Sequence, residues 1–146
     1  LAGYIYTKVK KLNFFKMADC VVLGIPLAQA IGRWGNYLNK EAHGGPTDLP
    51  WGIMVDGVKV HPTFLYESIW DLGVFIFLML FRKKQKYEGQ ILVYYITLYS
   101  IGRFFIEGLR TDSLMLGPLR MAQVISLGFI LIGVILNYVL SKKNKR

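Results

Sequence analysis

Little in this sequence can ligate a metal or close a covalent cross-link. One cysteine, Cys20, and two histidines, His43 and His61, in 146 residues exclude an internal disulfide and a multi-cysteine metal site, and the histidines lack the cysteine and carboxylate spacing of a zinc centre. No metal and no cofactor are expected. Acidic residues are scarce too, nine against eighteen Lys and Arg. No Walker loop, dinucleotide fingerprint or serine nucleophile elbow is present. No repeat or low-complexity linker divides the chain, so one membrane domain over 1–146 is the simplest organisation. The opening phrase, Leu1 to Tyr6, has neither a start methionine nor the charged n-region of a signal peptide, which reads as an N-terminally truncated fragment.

What is abundant is apolar surface. Hydrophobic residues make up 53% of the chain and mean hydropathy is +0.37, too apolar for an ordinary soluble domain of this length. The net charge of +9 comes from tight clusters: Lys8, Lys10, Lys11 and Lys16; Arg82, Lys83, Lys84 and Lys86; Lys142, Lys143, Lys145 and Arg146. A nucleic-acid face wants basic residues continuous along one surface with stacking side chains among them, so no nucleic acid is expected as partner.

Between the clusters lie stretches long enough to cross a hydrocarbon core, which takes roughly 20 helical residues. Residues 63–81, 90–106 and 121–140 are the clearest. Residues 18–31, interrupted by Pro26 and by small residues Gly24, Ala28 and Ala30, suit a helix packed inside a bundle. The expected fold class is an all-α integral membrane helical bundle with about four transmembrane helices. Asp56-Gly57 between two strand-prone runs adds a small external β-hairpin. Short loops rich in Lys and Arg stay cytoplasmic, and alternating these four spans puts all three basic clusters, and hence the C-terminus, on that side. The polar connections, with Arg33, Asn36, Asn39, Glu41, His43, His61, Glu67, Arg103, Glu107, Arg110 and Asp112, then fall at the outer face.

Ionisable groups at the edge of a membrane helix are costly and are therefore paired or functional. Arg103, Glu107 and Arg110, spaced four and three apart, fall on one helical face with Tyr99 a turn before. This is either an internal ion pair or an anion site, since two guanidinium forks and one carboxylate leave a positive surplus suited to phosphate. Residues 32–45 are either a helix end running into a glycine-rich turn or a site where backbone approaches a ligand closely. Glu67 sits one turn into a helix that Pro62 begins, and it either anchors an arginine or touches substrate. Trp34, Trp51 and Trp70 read as interface anchors.

Gly32-Arg33-x-Gly35-Asn36-Tyr37-x-Asn39-x-Glu41-x-x-Gly44 resembles the signature of the prolipoprotein diacylglyceryl transferase family, with Tyr37 where the family commonly has Phe. The resemblance continues through His61-Pro62-Thr63-x-Leu65-Tyr66-Glu67 and Tyr99-x-x-x-Arg103-Phe104-x-x-Glu107-x-x-Arg110. It implies a seven-helix, multi-pass enzyme of the bacterial cytoplasmic (inner) membrane. Such an enzyme moves the diacylglyceryl group of phosphatidylglycerol onto the lipobox cysteine thiol of a prolipoprotein and releases glycerol phosphate. By resemblance, Arg33 and Arg103 are catalytic and hold the lipid phosphate, with Asn36, Glu41, Gly44 and Tyr99 shaping its pocket. Asn39, His61, Glu67, Glu107 and Arg110 support them. The family's His-Gly-Gly motif lies upstream of Leu1, and His43-Gly44-Gly45 is not given its role. The substrate supplies the nucleophile, so Cys20 is expected to be buried packing. The other readings are a non-enzymatic transporter subunit and a phospholipid-binding membrane protein.

Overall fold

The computed structural model describes residues 1–110 and 115–145, and only the backbone of Leu116. Asp112 and Arg146, singled out in the sequence, lie outside the described residues. Six helices, α1 (Ala2–Val9), α2 (Phe14–Val22), α3 (Ile25–Leu38), α4 (Thr63–Phe81), α5 (Gln90–Glu107) and α6 (Met121–Asn144), carry the architecture. Two antiparallel hairpins decorate one end: β1 (Ile53–Val55) with β2 (Val58–Val60), and β3 (Met115–Leu116) with β4 (Leu119–Arg120).

Among the described residues, two helices are long and apolar enough to cross a membrane, α4 extended through the 3-10 turn Arg82–Lys84, and α6. A third crossing arises if α2 and α3, bent by 41°, act as one span. The bend falls at Leu23 and Gly24, where the ring of Pro26 near the start of α3 denies the backbone a continuous hydrogen-bond ladder. The expected fourth span, α5, has 18 residues and does not meet that apolarity test. The reason is its position. It is the central helix, packed against α6, α4 and α2, and it carries polar side chains such as Gln90, Ser100, Arg103 and Glu107 that meet protein rather than lipid.

Small residues set the helix contacts, as expected where packing rather than water exclusion holds helices together. Gly133 of α6 lies against Thr97 of α5, and Gly102 of α5 against the Trp70 indole of α4, each so closely that a β-carbon would collide. The innermost apolar group joins Val22, Val74, Leu78 and Ile91 from α2, α4 and α5.

The basic clusters gather at one pole. Lys16, Arg82, Lys86 and Lys143 line a cavity of about 920 Å³ there. Asp19 of α2 caps α5 across the interface: its carboxylate accepts from the Gly89 amide at 2.7 Å and the Leu92 amide at 2.9 Å, placing an anion at the positive end of the helix dipole. Tyr87 donates to Asn137. Burial first, then Tyr94 and Asp19, push its phenol above its ordinary value, keeping it a neutral donor. Cys20 departs from expectation: it is exposed and lines this cavity, because α2 turns Asp19 and Val22 inward and leaves Cys20 on the opposite face.

The hairpin β1–β2 forms where Asp56-Gly57 predicts it, with φ of 50° and 81° at the two turn residues, the signature of the turn that matches strand twist. It sits at the other pole with the ends of α3 and α5 and the starts of α4 and α6.

Candidate active site

Three helices meet at that pole around one carboxylate. Glu67, on the first turns of α4, has a side chain only 7% exposed. Arg33 of α3 places its Nε 2.8 Å from Glu67 Oε2, and Arg103 of α5 donates from Nη1 to Oε1. Each oxygen thus takes its own guanidinium. Arg33 also donates from Nη2 to the Tyr99 hydroxyl at 3.2 Å. Arg103 Nη2 lies 2.9 Å from Glu107 Oε2, and Arg110 Nη1 lies 3.8 Å from the same oxygen. That oxygen makes ion pairs by distance without the alignment of a hydrogen bond.

The helix register explains the convergence. Tyr99, Arg103 and Glu107 recur every four residues and share the face of α5 that turns toward α3 and α4. Arg110 was expected on the same helical face, but α5 stops at Glu107 and Gly108 begins a turn. Arg110 still reaches Glu107, from beyond the helix end, and its backbone bridges Gly44. Arg33 and Asn36, placed by the sequence in a segment outside the membrane helix, belong to α3, which runs on to Leu38. A helix end at a bundle's polar pole needs no apolar residues, so hydropathy ended it too early.

The remaining signature residues occupy neighbouring positions. Asn36 and Glu41 line a second cavity of about 230 Å³ under the β1–β2 hairpin, with His43 and Phe64. Asn39 ends α3 and donates to Glu41 Oε1 at 3.3 Å. Gly44 is a crossing point. Its amide donates to the His61 carbonyl at 2.9 Å, the Gly45 amide to the Leu109 carbonyl at 3.1 Å, and His61 returns a bond to the Gly45 carbonyl at 3.0 Å. A β-carbon at Gly44 would strike His61 and the Leu109 carbonyl. The His61 ring pairs with the Tyr66 hydroxyl at 3.2 Å, which also accepts from the Trp51 indole at 2.8 Å. These residues tie the loop to the end of α5 and so hold the ground beside the arginines.

The sequence reading passed over one member of the cluster. Asp71, one turn beyond Glu67, is 3% exposed and lines a cleft with Arg33, Glu67, Tyr99 and Arg103. Its i,i+4 spacing from Glu67 was the available signal. Among the described residues, no group of three or more His, Cys, Asp or Glu could hold a metal ion. The chemistry open to this site is that of guanidinium groups against an anion, which they match in charge and in planar hydrogen-bond geometry.

Apolar helices long enough to span a bilayer, with the ion pairs among the described residues gathered at one pole, define a helical membrane protein with a polar site at its edge. Residues 1–139 match the family model described as prolipoprotein diacylglyceryl transferase, and the chain belongs to that family. It is 79% identical over 145 residues to the phosphatidylglycerol–prolipoprotein diacylglyceryl transferase of Clostridioides difficile (strain 630), covering 99% of this chain and 58% of that protein. Proteins of the same name from Finegoldia magna and Clostridium novyi are 56% and 52% identical, over 91% and 99% of this chain and 54% and 60% of theirs. The chain thus spans under two thirds of the length of these curated relatives.

Proposed function

We propose that the full-length protein transfers the diacylglyceryl group of phosphatidylglycerol to the thiol of a prolipoprotein's lipobox cysteine, releasing glycerol phosphate. The observation that carries this reading is the convergence of Arg33 and Arg103 on Glu67 at the edge of an apolar bundle, in a chain whose relatives bear that activity in their names. Attack on the glyceryl carbon expels a phosphate, and the charge gathering on it needs fixed donors at the place where it develops. Arg33 and Arg103 supply them. Glu67 and Glu107 hold the guanidinium planes in place, and Tyr99 fixes Arg33 by its hydroxyl. Asn36, Glu41 and Gly44 shape the ground next to the lipid head.

The bilayer orientation in this proposal puts the basic pole in the cytoplasm, with the C-terminus, and the arginine cluster at the outer face of the cytoplasmic membrane, where secreted precursors emerge. Among the described residues the ion pairs lie at one pole, which favours this over a transporter, whose charges should line a path through the bilayer.

The test follows peptide mass in membranes that contain phosphatidylglycerol, a lipobox peptide and the full-length protein, wild type or Arg33→Ala. A diacylglyceryl mass gain that disappears in the variant is expected. No gain with a folded wild type would refute the reading.

A further inference from the structure

Four cations from separate stretches of the chain converge on one hollow at the basic pole. Lys16 belongs to α2, Arg82 and Lys86 to the connection between α4 and α5, and Lys143 to the last turn of α6, and all four line the cavity of about 920 Å³. Its walls are tied together by hydrogen bonds. Asn144 of α6 donates to the Lys86 carbonyl at 2.9 Å, and Asp19 holds α2 to the start of α5 through the Gly89 and Leu92 amides. Keeping a loop in the cytoplasm needs only enough basic residues. It does not need them to face one cavity.

Two carboxylates share this lining, and both are engaged elsewhere. Asp19 caps α5, and Glu88 accepts from the Asn13 side chain. Among the described residues none of the four cations makes an ion pair. Four cations against two carboxylates leave two positive charges. The cations are exposed, whereas Phe15, Leu23, Ile91 and Leu140, which line the same cavity, are buried or half-buried. The hollow is therefore cationic toward water and apolar within. Its volume lies at the upper end of the roughly 300–1,000 Å³ that houses a drug-sized ligand. A free phosphate would meet the charge and leave the apolar lining uncovered.

We propose that this cavity binds an anionic phospholipid of the cytoplasmic leaflet, with its phosphodiester charge among Lys16, Arg82, Lys86 and Lys143 and its acyl carbons against Leu23, Ile91 and Leu140. Basic pockets between membrane helices on the cytoplasmic side suit such headgroups, and a surplus of two charges suits one with two phosphodiesters. The site lies at the opposite pole from the arginine cluster and is independent of the transfer reaction. Bound lipid joins α2 and α6 to the connection between α4 and α5.

Cys20 lines the cavity and is exposed, so its rate of reaction with a maleimide reports occupancy. The experiment takes the full-length protein in detergent with cardiolipin, phosphatidylcholine or inorganic phosphate, and follows labelling on the Cys20 peptide by mass. In wild type, cardiolipin at ten times its Kd should slow labelling about tenfold, while phosphatidylcholine and inorganic phosphate leave it unchanged. A lysine beside a headgroup gives about a fivefold gain in binding. The triple variant Lys16→Gln, Lys86→Gln, Lys143→Gln should therefore need about 100-fold more cardiolipin for the same protection. A second triple variant, Lys83→Gln, Lys84→Gln, Lys145→Gln, removes the same charge from the same pole outside the cavity lining, and should shift the requirement by no more than about threefold, since exposed charges beyond a Debye length are screened. An equal shift in both variants, or equal protection by phosphatidylcholine or by inorganic phosphate, would overturn the site. Should the first triple variant not fold, Lys143→Gln decides: about a fivefold shift supports the site and none overturns it.

Discussion

The indole of Trp70 lies against the α-carbon of Gly102, and a β-carbon added there would overlap it. The same indole donates to the Leu98 carbonyl at 3.0 Å, so it has no easy way to swing aside. Gly102 immediately precedes Arg103, and this contact sets how closely α5 approaches α4. Gly102→Ala is therefore expected to destabilise the protein by about 1–3 kcal/mol, the usual cost of overpacking, and to reduce lipid transfer by displacing Arg103. Thermal unfolding in detergent, alongside the peptide-mass assay, checks both.

Glu67→Gln removes the partner of two guanidinium groups at once and leaves them facing each other. A loss of about 3 kcal/mol is expected, because breaking a buried pair strands uncompensated charge. Glu67→Asp should lose less. Denaturation midpoints of the two variants provide the comparison, and equal stability of Glu67→Gln and wild type would contradict the shared-carboxylate geometry.

Arg103→Lys keeps the charge and loses the planar fork that serves Glu67 with one nitrogen and Glu107 with the other. The variant should fold and yet turn over about 100-fold more slowly, the order seen when one transition-state donor is lost. Initial rates of lipobox-peptide modification test this.

At the opposite pole, Asp19→Ala uncaps α5. A cost of about 1 kcal/mol in stability is expected, with the KM for phosphatidylglycerol unchanged, since the arginine cluster lies at the far end of the same helix. A large rise in KM would show that the cap does more than hold α5.

Sidedness has its own test. Cys20 is exposed at the basic pole, near Asn144, which donates to the Lys86 carbonyl at 2.9 Å. A membrane-impermeant maleimide should leave Cys20, and an Asn144→Cys variant, unmodified in intact spheroplasts and should label both in inverted vesicles. Labelling from outside would reverse the proposed orientation.

Much of the site was legible because its residues are of types that a membrane helix tolerates only for a reason. Arg33, Glu67, Arg103 and Glu107 all announce themselves in apolar surroundings, and Asp56-Gly57 announces its turn. What stayed hidden depends on packing. Asp71 looked like the last polar residue before an apolar run, and nothing local says that its helix turns it toward two arginines. The length of α3 was hidden because hydropathy tracks the bilayer and not the helix. The outward face of Cys20 follows from Asp19 turning inward to cap α5, a contact across 70 residues. The short β3–β4 hairpin was overlooked although Gly117-Pro118 is a turn dipeptide, and Gly117 takes a φ of 62°.

Because one carboxylate holds both guanidinium groups, Arg33 and Arg103 are not independent parts. Once either is removed, Glu67 keeps the other, whereas the second loss strands its buried carboxylate, so losing both should cost more than the two single losses together and a double-mutant cycle would register strong coupling. Three residues drawn from three separate stretches of sequence therefore work as a single part, and what a change at one of them does depends on the state of the other two.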